Sequence, residues 1–256
     1  MTRILSVASG KGGVGKTTVV SNLGAVLTEA GEDVTLVDGN LTTANLSLHL
    51  GIPLYPVTLH DVLKEDALLP EAMYIHPTGI RVVPSGIGID DLRETDSRDL
   101  PAVLGELMDE TEMILLDTAA GLGQETISTL EASDEVLIVT HPTMPSVTDA
   151  LKTKNLADEL GVETVGAVVN HSTGSKDELT NDEVSEMLDG LPVLARIPRD
   201  DRVPESVSMK KPVVHHAPRS PASREMRKLA SEFSTEDIDY QMPRRSIFQR
   251  IADILR

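Results

Sequence analysis

Eight consecutive residues, Gly10-Lys11-Gly12-Gly13-Val14-Gly15-Lys16-Thr17, concentrate the chemistry available to this chain. They fit the phosphate-loop spacing G-x-x-x-x-G-K-[ST]. Glycines at that spacing let backbone N–H groups turn inward around phosphate oxygens, and a helix starting beside them adds partial positive charge. Lys16 is then placed to reach the β- and γ-phosphates of a nucleotide, and the Thr17 hydroxyl to ligate Mg²⁺. Thr18 follows directly and belongs to the same cradle.

Such a loop works only between a strand and a helix, and both are present. Ile4-Leu5-Ser6-Val7-Ala8 is a short apolar run that reads as a buried strand. Thr18 to Leu27 has helical spacing and runs to Gly31, a natural stop. Further strands are predicted at Val34–Val37, Ile80–Pro84, Met113–Asp117, Glu135–Thr140, Val165–Asn170 and Val193–Ile197. Helices are predicted at Thr58–Leu63, Arg98–Glu110, Ser146–Leu160 and Ala222–Phe233, with loops over 52–79 and 87–95. Seven strands alternating with helices imply a single-domain α/β fold, a mostly parallel twisted sheet with helices on both faces. Asp117 closes its strand, where a carboxylate sits beside the phosphate loop and can hold Mg²⁺ through water.

The 256 residues are enough for one large core, and the absence of cysteine excludes disulfides, thiol catalysis and cysteine-bound clusters. The formal charge of −18 comes from 41 acidic against 23 basic residues. That surface resembles proteins of high-salt cytoplasm, with an acidic mesophilic protein as the alternative. Either way nucleic acid is an unfavourable partner, because phosphate contacts need clustered Lys and Arg. Met1-Thr2-Arg3 leads straight into the first strand, and no apolar run approaches the ~18–20 residues of a membrane span. A cytoplasmic location is expected. His60 and His76 lack metal-ligand spacing and read as ordinary loop or surface histidines.

The run Lys11-Gly12-Gly13-Val14-Gly15-Lys16-Thr17-Thr18 resembles the deviant phosphate loop of the MinD/ParA ATPase family. Without the family, Lys11 could be an ordinary solvated lysine. The resemblance covers roughly residues 1–233 and implies ATP with Mg²⁺ as ligand, and a homodimer in which Lys11 crosses to the partner's nucleotide. It makes Asp38-Gly39-Asn40 the first switch, where the family usually carries Asp-x-Asp, so Asp38 and Asn40 join Lys11 and Lys16 as catalytic positions. The second aspartate is credited with orienting the attacking water. An amide can hold a water but is a far poorer base, so slow hydrolysis is expected. Thr118-Ala119-Ala120-Gly121 resembles the second switch, with the Gly121 backbone sensing the γ-phosphate. Ser146 and Asp149 fall where dimer contacts would be made, Asp149 as a partner for the other subunit's Lys11. Asn170 matches the adenine-reading asparagine, and Pro198-Arg199-Asp200 the loop over the base.

The tail departs from this pattern. Residues 234–243 form an acidic linker, and 244–256 carry four arginines against one aspartate, 4 − 1 = +3. At helical spacing Ile247, Phe248, Ile251, Ile254 and Leu255 share an arc of about 120°. The segment resembles the membrane-targeting helix of MinD-like members. The resemblance therefore implies an ATP-controlled dimeric switch, peripheral on the inner face of the cell membrane, that positions cellular structures with an unknown protein cargo or activator. The alternatives are a ParA-like partition ATPase acting on DNA and a non-hydrolysing nucleotide-dependent scaffold.

Overall fold

β1 (Arg3–Ser9) is buried on both sides, as an uncharged apolar run between sheet neighbours must be. The computed structural model describes residues 2–51, 55–88, 95–108, 110–236 and 238. The glycine loop leads from β1 into α1 (Lys16–Ala30), which stops at Gly31 with φ 95°, a left-handed cap that favours glycine. β2 (Val34–Asp38), α2 (Leu46–Leu50) and α3 (Leu59–Leu63) follow. Next come β3 (Tyr74–Ile75), β4 (Arg81–Val83), α4 (Leu100–Gly105), β5 (Met113–Ala120) and α5 (Gln124–Glu131). The second half adds β6 (Glu135–Thr140), α6 (Met144–Leu160), β7 (Glu163–Ser172), α7 (Asn181–Met187) and β8 (Val193–Pro198). Three helices end the described chain: α8 (Arg202–Ser208), α9 (Val213–His216) and α10 (Pro221–Ala230).

The strands form one eight-stranded sheet in the order β3-β4-β2-β5-β1-β6-β7-β8. All neighbours run parallel except β3 and β4. Alternate residues of β1 serve opposite faces: Leu5 and Val7 join the core under α1 and α10, whereas Ile4 and Ala8 join the cores on the other side. The order reverses around β1, so a crevice opens at the carboxyl ends of β5, β1 and β6. The glycine loop lies there.

Several elements differ from the sequence reading. There are eight strands, not seven; β3 has two residues, too few to show a periodicity. The helix expected over 98–110 is α4 alone, preceded by a 3₁₀ turn at Ser97–Asp99. His60 and His76 are buried, not on the surface. His60 Nδ1 accepts the Gly86 amide at 2.9 Å, and His76 bonds Thr78 and the Leu50 carbonyl. They tie the segment between β2 and β4 together. The packed domain also runs past residue 233: Ser234, Thr235 and Glu236 donate to the Glu32 carboxylate, and Ile238 is buried beside Phe233. The helix expected over 244–256, with Ile247, Phe248, Ile251, Ile254 and Leu255, lies outside the described residues.

Candidate nucleotide-binding site

The glycine loop is held from several sides. Lys16 is almost fully buried, and its ammonium donates to Ser9 Oγ at 3.1 Å, while that hydroxyl donates to the Lys11 carbonyl at 2.8 Å. Ser9 thus connects the end of β1 to both lysines of the loop. Gly15, at φ 96°, begins α1, and a Cβ there would lie 2.3 Å from the Asn170 amide nitrogen. A Cβ at Gly10 would meet the Asp149 carbonyl oxygen at 2.0 Å, so the loop rests directly on the α6 backbone. Val14 is buried in the core, whereas Lys11, Gly12 and Gly13 are exposed.

Beneath the loop two acids end neighbouring strands. Asp38 and Asp117 stand opposite one another in the β2–β5 register and are both fully buried. The Asp117 carboxylate has the Thr17 hydroxyl as a hydrogen-bonding neighbour, and its remaining acceptor capacity has no partner. Burial pushes its carboxyl up to about 6, while the nearby Thr17 hydroxyl and Lys16 ammonium pull it back. Burial lowers Lys16 in turn, and Asp117 opposes that. Leaving a buried carboxylate unpaired is costly, so this position suits an added cation. Mg²⁺ takes one or two carboxylates and fills its remaining sites with water and phosphate. Thr17 and Asp117 match that set. Among the described residues no group of three or more His, Cys, Asp or Glu forms an all-protein metal cage.

Asp38 acts differently. Its carboxylate accepts the amides of Asn40, Asn45 and Leu46 at 3.2, 3.1 and 3.0 Å. Burial and Asp117 raise its pKa, and those three amides oppose the rise. It is the anchor from which the first switch segment hangs. Asn40 lines the cleft, but its amide nitrogen donates to the Thr43 carbonyl at 2.8 Å and its oxygen accepts the Thr43 amide and hydroxyl. The side chain closes a turn with Thr43.

The cleft measures about 870 Å³ and is lined by the glycine loop, Asn40, Thr43, His141, Asn170, His171 and the Pro198–Asp200 loop. Asn170 donates to the Val14 carbonyl at 2.7 Å and accepts the His171 amide at 2.8 Å. One N–H and one oxygen lone pair remain for an adenine edge. Asp200 accepts the amides of Arg202 and Ala222, so it ties the loop over the cleft to the start of α10. Ser146 is buried, its hydroxyl bonded to the Thr140 hydroxyl and the His141 amide. The Gly121 N–H donates to the Ser9 carbonyl at 3.2 Å. Asp149 is paired with Lys152 in α6. Sequence reading missed Ser9, Thr43 and the histidines. Ser9 directly precedes the motif and was open to notice; the others come from distant segments.

The nucleotide-binding domain model of the CobQ/CobB/MinD/ParA family matches residues 5–213. The chain belongs to that family. The MinD-like branch supplies the near relatives and makes the protein a member of the MinD/ParA ATPases. An uncharacterized ATP-binding protein of Methanocaldococcus jannaschii is 32% identical over 241 residues, 94% of this chain and 91% of the relative. The septum site-determining protein MinD of Thermotoga maritima is 30% identical over 212 residues, covering 79% and 78% of the two chains. Among solved structures, MinD of Pyrococcus horikoshii complexed with Mg-ADP is similar with a TM-score of 0.88 and 36% identity, covering 92% of this chain and 97% of that one. The MinD/ParA fold accounts for the parallel sheet and for the glycine loop at its centre.

Proposed function

We propose that this MinD-like protein is an ATP-binding switch that dimerises around Mg-ATP and hydrolyses it slowly. The observation that carries the reading is the Asp117 carboxylate, fully buried with acceptor capacity to spare beside Thr17 and Lys16 at the foot of the phosphate loop. When bound, Mg²⁺ would neutralise phosphate charge there. The chain's own groups do the rest: the loop amides and Lys16 grip the β- and γ-phosphates, and Asn170 with Pro198 flanks the base. Lys11 stands exposed at the mouth of the cleft and reaches the partner's nucleotide. Homology to MinD of Pyrococcus horikoshii, solved with Mg-ADP, supports the ligand.

The test is nucleotide affinity together with light scattering. Lys16→Ala should lose ATP binding, and Lys11→Ala should keep a monomer that still binds. Wild-type affinity and dimerisation in Lys16→Ala would refute the assignment. A second reading, a scaffold that binds without turnover, is favoured by Asn40, an amide tied up with Thr43 where the family usually carries a carboxylate. Turnover with ATP and Mg²⁺ separates the two.

Residues 244–256 would attach the dimer to a membrane surface, where it would position cellular structures through a protein cargo or activator. Among the described residues no helix is long and apolar enough to cross a membrane, and an interfacial helix needs none. Two weak tails on one dimer would gain about 10²–10⁴ in avidity. Liposome flotation of Ile251→Glu and of a chain ending at Met242 checks the anchor: wild-type flotation by both would remove it.

A further inference from the structure

His141, just after β6, and His171, in β7, stack their rings with centroids 4.8 Å apart and planes 19° apart. Both line the nucleotide cleft. His171 is held at φ 58°, a conformation that costs energy in any residue but glycine, and its amide is fixed by Asn170. His141 keeps a buried Nε2 with no hydrogen-bond partner. The pair is thus placed at some cost in His171, which is exposed to solvent, and leaves a buried nitrogen of His141 without a partner.

The charged groups that act on the two rings are cationic. Burial lowers both imidazoles first; His171 and Lys11 add to this at His141, and Arg199 adds to it at His171. Carboxylates near this wall are engaged elsewhere. Glu178 is held by Arg196, Ser172 and Thr173. Asp200 accepts the amides of Arg202 and Ala222, Asp149 pairs with Lys152, and Asp201 sits exposed at the rim. Lys11, His141, His171 and Arg199 therefore bring cationic and protonatable groups together in a cleft where the carboxylates of Glu178 and Asp200 are bonded to other partners, in a chain of net charge −18.

We propose that His141 and His171 are a proton-coupled contact for the nucleotide: polyphosphate entering the cleft draws one proton from solvent onto the stacked pair, and affinity rises as the pH falls from about 8 to about 6. The inference rests on the nucleotide reading of the cleft. An approaching anion raises an imidazole pKa, and the first proton opposes a second on the ring stacked against it. Each unit by which binding raises the pKa is worth about tenfold in affinity at a pH below both values.

The experiment is calorimetric titration of the full chain with Mg-ADP between pH 6 and pH 8, in PIPES and in Tris, which differ in ionisation enthalpy. Wild type should take up part of a proton near neutral pH and bind about tenfold more tightly at pH 6 than at pH 8. In His141→Asn/His171→Asn the buffer dependence should shrink to that of the nucleotide's own phosphate and the pH ratio to about twofold. Equal proton uptake and pH ratio in the two proteins, with binding intact, would overturn the proposal. Absence of binding in wild type at every pH would overturn it together with the nucleotide reading, a distinct result. Ring resonances of the wild type, assigned with the two single variants, give a check that survives a poorly folding double variant. Their titration should move to higher pH with Mg-ADP, and an unmoved titration in the bound protein would also overturn the idea.

Discussion

The two walls of the cleft are built on different plans. The phosphate wall is fixed from every side: Ser9 binds Lys16 and the Lys11 carbonyl, Asn170 binds Val14, and Gly10 presses on the Asp149 carbonyl. The switch wall hangs from one carboxylate, Asp38, and is otherwise closed by the bonds of Asn40 to Thr43 and by Thr42 to Glu125. A rigid cradle binds the part of a nucleotide that never changes. A segment hung from one point can answer the part that does.

The sharpest way to break this contrast is Gly10→Ala. The new methyl would collide with backbone, which no rotamer change relieves, and overpacking of this kind costs about 3 kcal/mol or more. Urea unfolding should show that loss; a loss under about 1 kcal/mol would mean that the phosphate wall yields as readily as the switch.

Next in size is the pH dependence of the apoprotein. Asp117 is raised to about 6, so its contribution to stability is complete below its unfolded value and is lost as the pH climbs through about 6. Between pH 5 and pH 8 that loss is on the order of 1–2 kcal/mol, and Asp38 acts in the same direction. Glu29, lowered to about 2, acts oppositely, its stabilisation being lost only as the pH falls below the ordinary range toward 2. Thermal unfolding of Asp117→Asn should show a flatter slope between pH 5 and pH 8. Mg-nucleotide should raise the wild-type melting point most at pH 8.

A smaller effect is expected at position 40. Asn40→Asp removes the donor to the Thr43 carbonyl and supplies a carboxylate, so the switch wall loosens while a better water-orienting group appears. Turnover should rise about tenfold if about 1.4 kcal/mol of transition-state stabilisation is restored. No increase would mean that the turn matters more than the charge. Smallest of all, Lys152→Ala breaks an exposed i,i+3 pair with Asp149 on α6 and should change stability by less than about 0.5 kcal/mol. A larger change would show that the support under Gly10 depends on α6 side chains as well as its backbone.

The sheet, the glycine loop and the strand-ending acids were legible in the sequence because each is a local pattern. A buried strand is an apolar run, and a phosphate cradle is a spacing. The functions of Asp38, Asn40 and Asn170 were legible only as types. Whether an amide faces a ligand or a neighbouring carbonyl depends on residues far away in the chain, such as the Val14 carbonyl met by Asn170, 156 positions apart. The bonds of Ser146 to the Thr140 hydroxyl and of the Gly121 amide to the Ser9 carbonyl were not legible for the same reason. The histidine pair left no periodic trace, since one ring comes from the loop after β6 and the other from β7, and they meet only once the sheet is assembled.

α10 starts at the base loop, where Asp200 accepts the Ala222 amide, and ends near Phe233 and Ile238, with Phe233 under the Arg3 guanidinium of the first strand. Ten residues of helix, about 15 Å, therefore form a strut from the Pro198–Asp200 loop toward the amino-terminal end of β1, an interior strand of the sheet. Because the chain has no cysteine, a thiol introduced at Ser231 would be its sole attachment point for a dye. A fluorophore there would sit at the remote end of that strut, turning the wild-type scaffold into an optical reporter of base-loop movement without a label in the cleft.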